Sequence, residues 1–127
     1  MTIKILLLMY LLHIIDDFVF QPICLSKLKQ KSWWENNIKD KNELKKYGND
    51  YITALIMHSL SWAIMIHLPL FLYASDIFLA MSIVINTLIH CKVDDQKANL
   101  KLYNLTQDQT IHIIQIGITF LCLILIG

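Results

Sequence analysis

Arginine is missing from this chain, and its 127 residues hold only three glycines and two prolines. Without arginine there is no planar guanidinium to grip a phosphate or carboxylate in bidentate fashion, so all cationic chemistry falls to eleven lysines. So few glycines leave no Gly-rich phosphate loop, and no serine sits in a recognisable nucleophile elbow. The three cysteines, Cys24, Cys91 and Cys122, are odd in number and form no CxxC pair. That spacing argues against a disulfide framework or a thiolate metal knuckle and predicts free thiols. Cys91, although beside His90, reads as a small buried filler. Internal repeats and low-complexity tracts are also absent.

What the chain has is apolar surface, in blocks. Hydrophobic residues make up 56% of it, with a mean hydropathy of +0.51. Most Lys, Glu and Asp fall in two windows, about residues 22–50 and 92–108, and the sequence between is almost purely apolar. A bilayer demands such segregation, whereas a soluble amphipathic bundle interleaves the two kinds of residue. The length allows one domain, residues 1–127. The expected fold is all-α, a four-helix transmembrane bundle with spans at about 3–20, 51–73, 77–92 and 109–126. Each run is about 17–23 residues, against the ~20 that cross the hydrocarbon core.

The first run, with Lys4 ahead of it, has the look of a signal peptide. It contains His13, Asp16 and Asp17 and lacks a small-x-small cleavage site, so it reads as a retained helix. Gln21-Pro22 ends it, because proline has no amide hydrogen to continue the helix. Residues 23–50 are expected to lie partly helical on the membrane surface, with Trp33 and Trp34 at headgroup depth and lysines facing anionic lipid. Pro69 is expected to bend the second span, and Ser75 or Asp76 to cap the third. Helices of alternating direction put both polar windows on one side, which then carries ten of the eleven lysines. The positive-inside rule makes that side cytoplasmic and leaves both termini outside, in an inner or cytoplasmic membrane.

The ionisable residues inside the spans carry the chemistry. His13, His58, His90 and His112 each fall near the cytoplasmic end of a different span, about 3–11 Å below the interface at 1.5 Å per residue. Three aspartates accompany them at i, i+4 spacing, a spacing that shares a helix face: His13 with Asp17, His90 with Asp94, and Asp108 with His112. Histidine precedes aspartate on the two descending helices and follows it on the ascending one. In all three pairs the imidazole is therefore deeper and the carboxylate shallower.

Each ionisable group in hydrocarbon costs about 2.5–3.5 kcal/mol on insertion scales, so the cluster needs compensation. Either His and Asp bind one or two divalent ions, or they satisfy one another as a hydrogen-bonded plug or relay. Four imidazoles with three carboxylates form a ligand-rich set for a borderline cation, zinc first, with manganese or iron as alternatives. The metal set is then His13, Asp17, His58, His90, Asp94, Asp108 and His112. Of these, Asp17, Asp94 and Asp108 are the candidates for general-base work. Gln21 and Lys97, near the mouth, are the candidate substrate contacts, and Gln109 reads as solvated surface. Asp16 and Asp95 are the alternatives to Asp17 and Asp94. Asn86, one turn below His90, either orients it or bonds a neighbouring helix. His67, toward the other end of its span, reads as an interfacial residue bonded to water or headgroups. Met9, Met57, Met65 and Met81 read as apolar filler.

In order, these residues are His13-Ile-Ile-Asp-Asp17-Phe18-Val-Phe-Gln21, Lys27 or Lys29, His58, Asn86-x3-His90-x3-Asp94-x2-Lys97, and Asp108-Gln109-x2-His112. The set resembles the domain-of-unknown-function family numbered 3307, small membrane proteins of bacteria and phages, over nearly the whole chain. Asp16 departs from that family's pattern, in which a small residue such as glycine commonly precedes the second aspartate. The resemblance implies the membrane fold and the polar cluster but names no substrate. A looser likeness of pattern links the chain to small inner-membrane proteins regarded as metal-dependent hydrolases.

Three functions follow as expectations. The first is a membrane metal-dependent hydrolase acting on an anionic substrate at the cytoplasmic face, such as a phospholipid headgroup or a nucleotide. The second is a proton or metal conduit, disfavoured because the outer halves of the spans offer only His67 and Thr119 as polar steps. The third is a membrane adaptor, a phage or defence accessory whose polar cluster only locks the bundle. The expected partners are the bilayer, anionic lipid and a second copy of the chain. No nucleic acid is expected, since lysines beside a membrane are accounted for by lipid charge and topology.

Overall fold

The computed structural model describes residues 2–126, and among them the only regular structure is helix. Helix α1 (Thr2–Ile15) runs directly into a π-helical turn, Asp16–Phe20. Gln21 then adopts an extended backbone (φ −78°, ψ 100°), which suits the residue before a proline. Three short helices follow: α2 (Ile23–Leu28), α3 (Lys31–Asn37) and α4 (Lys41–Tyr47). Asp40 caps α4 by accepting from the amides of Asn42 and Glu43. Helix α5 (Asp50–His67) tightens into a 3-10 turn at Leu68–Leu70. Helix α6 covers Asp76–Ala98 and α7 covers Leu105–Ile126.

Three boundaries differ from expectation, each for a local reason. The span expected to reach Tyr73 leaves α-geometry at His67, because Pro69 cannot donate to the ladder. Helix α6 does not stop at Lys92; it continues to Ala98, because the residues after the apolar run include no breaker. The loss of hydrophobicity there ends the apolar run and leaves the helix intact. Helix α7 starts at Leu105 rather than Gln109. Asn104 Oδ1 accepts from the Gln107 amide at 2.9 Å while Gln107 Oε1 accepts from the Asn104 amide at 3.0 Å, a reciprocal capping box. At the other end of the molecule Ser75 Oγ caps α6 by accepting from the Phe78 amide at 3.3 Å.

Side chains of α1, α5, α6 and α7 share one core: Met9, Trp62, Ala63, Ile66, Leu79, Ile116 and Phe120, with Leu70 from the 3-10 turn. Each of these helices touches the next, α1 with α5, α5 with α6, α6 with α7 and α7 with α1. Three helical stretches, Lys41–Leu70, Asp76–Ala98 and Leu105–Ile126, are long and apolar enough to cross a membrane. Only 22–39% of their apolar windows is buried within the protein, so most of that surface faces outward. Leu7, Leu11, Ile64, Ile85, Leu88, Ile118 and Leu121 all point away from the core. Monomeric soluble proteins rarely expose so much contiguous apolar surface, and the pattern is consistent with a membrane protein.

Candidate metal centre

Five elements converge on one polar layer. Helix α1 supplies His13, the π turn Asp16 and Asp17, α5 His58, the polar end of α6 both His90 and Asp94, and the first turns of α7 Asp108 and His112. All except Asp17, which is half-buried, are buried. The extra turns of α6 matter here, since they keep Asp94 one helical turn from His90 rather than in a loop.

The ring nitrogens and carboxylate oxygens face one another at nearly uniform spacing. His112 Nε2 is 3.4 Å from Asp94 Oδ1 and 3.4 Å from Asp108 Oδ1. His90 Nε2 is 3.5 Å from Asp94 Oδ1 and 3.4 Å from His58 Nε2. His58 Nε2 in turn is 3.5 Å from Asp94 Oδ2 and 3.6 Å from Asp17 Oδ1. Hydrogen bonds of this type run at about 2.7–3.2 Å. Ligands held at about 2.0–2.1 Å from a tetrahedral ion, by contrast, lie about 3.3–3.4 Å apart. Donors around an ion could take this spacing.

Two sets can each bring one donor atom per residue within 4.8 Å of the others: Asp17 with His58 and His90, and His90 with Asp94 and His112. Several of the atoms concerned are buried and without a hydrogen-bond partner among the described residues, including Asp17 Oδ1, Asp108 Oδ1 and His112 Nε2. A buried unsatisfied polar atom costs about 1–3 kcal/mol, and here they are aimed at one another. The buried His/Asp groups of this layer could hold a metal ion.

His13 stands at the edge of the layer and in neither set. Its Nδ1 accepts from Trp62 Nε1 at 2.8 Å and lies 3.7 Å from Asp17 Oδ2. Trp62 is fully buried and stacks on His90, with ring centroids 4.1 Å apart, while His90 stacks on His112 at 4.0 Å. The indole thus fixes two imidazoles, one by its face and one by its N–H. The two adjacent acids of the π turn separate. Asp16 accepts from Ser61 Oγ at 2.9 Å, whereas Asp17 faces His58 and accepts from Gln109 Nε2 at 3.0 Å. On α6, Asp95 accepts from Asn99 and takes no part in the layer. Cys91 is half-buried and outside both donor sets.

Two lysines complete the site. Lys29 Nζ donates to Asp94 Oδ2 at 2.6 Å, and Lys97 Nζ donates to Asp108 Oδ2 at 2.5 Å. Both leave Oδ1 of the same carboxylate turned toward His112. Lys29 is buried, held there by Asn99: the Asn99 side chain donates to the Lys29 carbonyl at 3.1 Å and accepts from the Lys31 amide at 2.8 Å. Above the layer opens a cavity of about 390 Å³ lined by Asp17, His58, Asp94 and Asp108 and by Gln21, Lys29, Lys97, Lys101 and Gln109. Apolar Phe18, Ile23 and Leu105 also line it, all three more than half exposed.

On the other side of the layer a second polar network fills the space between α5, α6 and α7. His67 is fully buried, not interfacial. Its Nδ1 donates to the Ala63 carbonyl at 2.7 Å and its Nε2 accepts from Ser82 Oγ at 2.7 Å. Asn86 Nδ2 bonds Ser82 Oγ at 3.3 Å and Thr119 Oγ1 at 3.0 Å, and Gln115 Nε2 donates to Asn86 Oδ1 at 2.8 Å. Polar groups therefore extend well beyond the two steps expected from sequence, and Asn86 acts between helices.

No family model, no curated protein and no solved structure matches the chain. The site must be read from its own geometry. Trp62, Asn99 and Gln115 were not picked out from the sequence, and Lys29 stood there only as an alternative to Lys27. Trp62 lies i+4 from His58 and Gln115 i+3 from His112, so helical spacing was a usable signal for both. The resemblance narrows the seven lysines of that segment to Lys27 or Lys29, and no local signal decides between the two.

Proposed function

We propose that the chain is a membrane-embedded, metal-dependent hydrolase acting on an anionic ester, most simply a phosphate ester, at the cytoplasmic face. The observation that carries this reading is the uniform 3.4–3.6 Å spacing of buried, partly unpartnered imidazole nitrogens and carboxylate oxygens beneath a lysine-lined cavity. On this reading α1 with its π turn is the fourth span of a transmembrane bundle, and the lysine-rich helices lie on the cytoplasmic surface against anionic lipid. The whole chain is one domain, with both termini outside. The ordered His/Asp/Lys set that resembles family 3307 belongs to the same proposal.

His90, Asp94 Oδ1 and His112 would hold the ion, with Asp108 Oδ1 as the further oxygen. Zinc suits the mixed nitrogen and oxygen set, and when bound it polarises the substrate oxygen and makes water acidic enough to attack near neutral pH. His58, facing Asp17 Oδ1, is placed to take the proton from the attacking water. Trp62 holds His90 and His13 in register. Lys97, Lys101 and Gln21, on the cavity wall, draw in the anion, and the exposed apolar rim accepts an acyl chain if the ester is a lipid.

The test is elemental analysis of the purified protein together with hydrolysis assays on phosphate mono- and diesters presented in micelles. We expect stoichiometric metal, chelator-sensitive hydrolysis, and loss of both in His112→Ala. Metal-free protein with unchanged thermal stability in chelator would overturn the reading.

The inner polar network favours a conduit as the second reading. Against it, the amides of Asn86 and Gln115 occupy the middle of the chain and cannot pass a proton on as a hydroxyl or imidazole does. Proton or divalent-ion flux into liposomes carrying the protein would support the conduit; tight liposomes would remove it.

A further inference from the structure

Lys29 occupies a position unlike that of any other lysine of its segment. Its Nζ lies 2.6 Å from Asp94 Oδ2, and that same oxygen is 3.5 Å from His58 Nε2. His58 belongs with Asp17 and His90 to the second donor set, whose Asp17 Oδ1 is buried and unpartnered. The ammonium thus stands where a dinuclear centre bridged by Asp94 would place its second ion. The bridge itself is half made, with Oδ1 turned to His90 and His112 and Oδ2 turned to Lys29 and His58.

The placement is built into the fold. Lys29 closes α2, and the chain from Lys29 to Lys31 is tied to the end of α6 by Asn99, which itself bonds Asp95 at 2.6 Å. A lysine delivered by chance from a surface segment would point to water, where its head is most stable. This one is 7% exposed, at the roof of the donor layer.

Charge points the same way. Asp17, Asp94 and Asp108 with Lys29 and Lys97 leave one negative charge in the layer, which one divalent ion more than neutralises. A second divalent ion would leave a triple positive charge in a weakly screened space, and like charges a few ångströms apart repel strongly there.

Resting on the metal reading above, we propose that Lys29 is the built-in second cation of this centre: it limits the site to a single metal ion and presents its ammonium to an anionic oxygen of the substrate. Such a site takes a phosphate ester between one metal ion and one ammonium group.

The experiment counts zinc per chain in the full-length protein in micelles, after loading and removal of loosely bound metal. Wild type is expected to hold one ion, Lys29→Arg one, and Lys29→Met two, a twofold change. Two ions in wild type, or one in a Lys29→Met protein that still melts cooperatively, would overturn the assignment while leaving the metal reading intact. No ion in wild type would sink both. If Lys29→Met fails to fold, His58→Ala decides. The single ion should survive that substitution, because His90, Asp94, Asp108 and His112 would hold it without His58, and its loss would overturn the proposal.

Discussion

His112 sits at the centre of the donor layer because two carboxylates from different helices turn Oδ1 toward its Nε2 while a lysine holds each Oδ2. Substituting His112 with alanine should remove metal retention altogether, whereas Asp95→Asn, one residue from Asp94 but bonded to Asn99, should leave metal content at the wild-type value. Equal metal loss in both would mean that the layer is not the binding site. Trp62 makes a second prediction at this scale. Trp62→Phe keeps the stack on His90 but deletes the N–H donated to the buried His13, so stability in micelles should fall by about 1–3 kcal/mol. Trp62→Ala empties a fully buried site and should cost about 3–5 kcal/mol. Unfolding monitored in mixed micelles checks both, and an unchanged midpoint in Trp62→Ala would contradict the packing described. The pairing of His with Asp along each helix was visible in the sequence, because i, i+4 spacing fixes a shared face. The partner of His13 across the helix interface was not, because an indole N–H has no sequence signature of its target.

At the scale of the element, the polar ends of α6 and α7 do the positioning. Helix α7 begins one turn earlier than its apolar run because Asn104 and Gln107 cap each other, and that turn carries Asp108. Asn104→Ala should lower stability by about 0.5–2 kcal/mol and weaken metal binding as Asp108 frays. A titration calorimetry experiment showing wild-type affinity in Asn104→Ala would separate the cap from the site. The helices were legible in the sequence as apolar runs, with their order and approximate centres, and three of them are long and apolar enough to cross a membrane. Their ends were not legible, since loss of hydrophobicity does not mark loss of helix. Val93–Ala98 is polar and still helical, and the π turn at Asp16–Phe20 leaves no mark on hydropathy at all. Yet that turn sends Asp16 to Ser61 and Asp17 to His58, a separation that the adjacent acids alone do not announce.

For the whole molecule, the outward apolar faces and the clustering of lysines set the expected topology. Cys24 is exposed, next to the lysine-rich helices. A membrane-impermeant maleimide should label it in inside-out vesicles and not in sealed right-side-out cells. Labelling from the outside would invert the orientation and move the donor layer to the other face. An interhelical bond by Asn86 was one of two readings of the sequence, but the network that joins it to His67 was not legible because its members lie on three different elements. The convergence of His58, His90 and His112 rests on the same kind of long-range packing, and there the shared depth of the residues made the meeting expected. The most direct measurement is X-ray absorption at the zinc edge on the purified, zinc-loaded protein. A four-coordinate shell of nitrogen and oxygen at about 2.0–2.1 Å is expected, with imidazole scattering that disappears in His112→Ala. A sulfur shell, or zinc bound without imidazole, would contradict it.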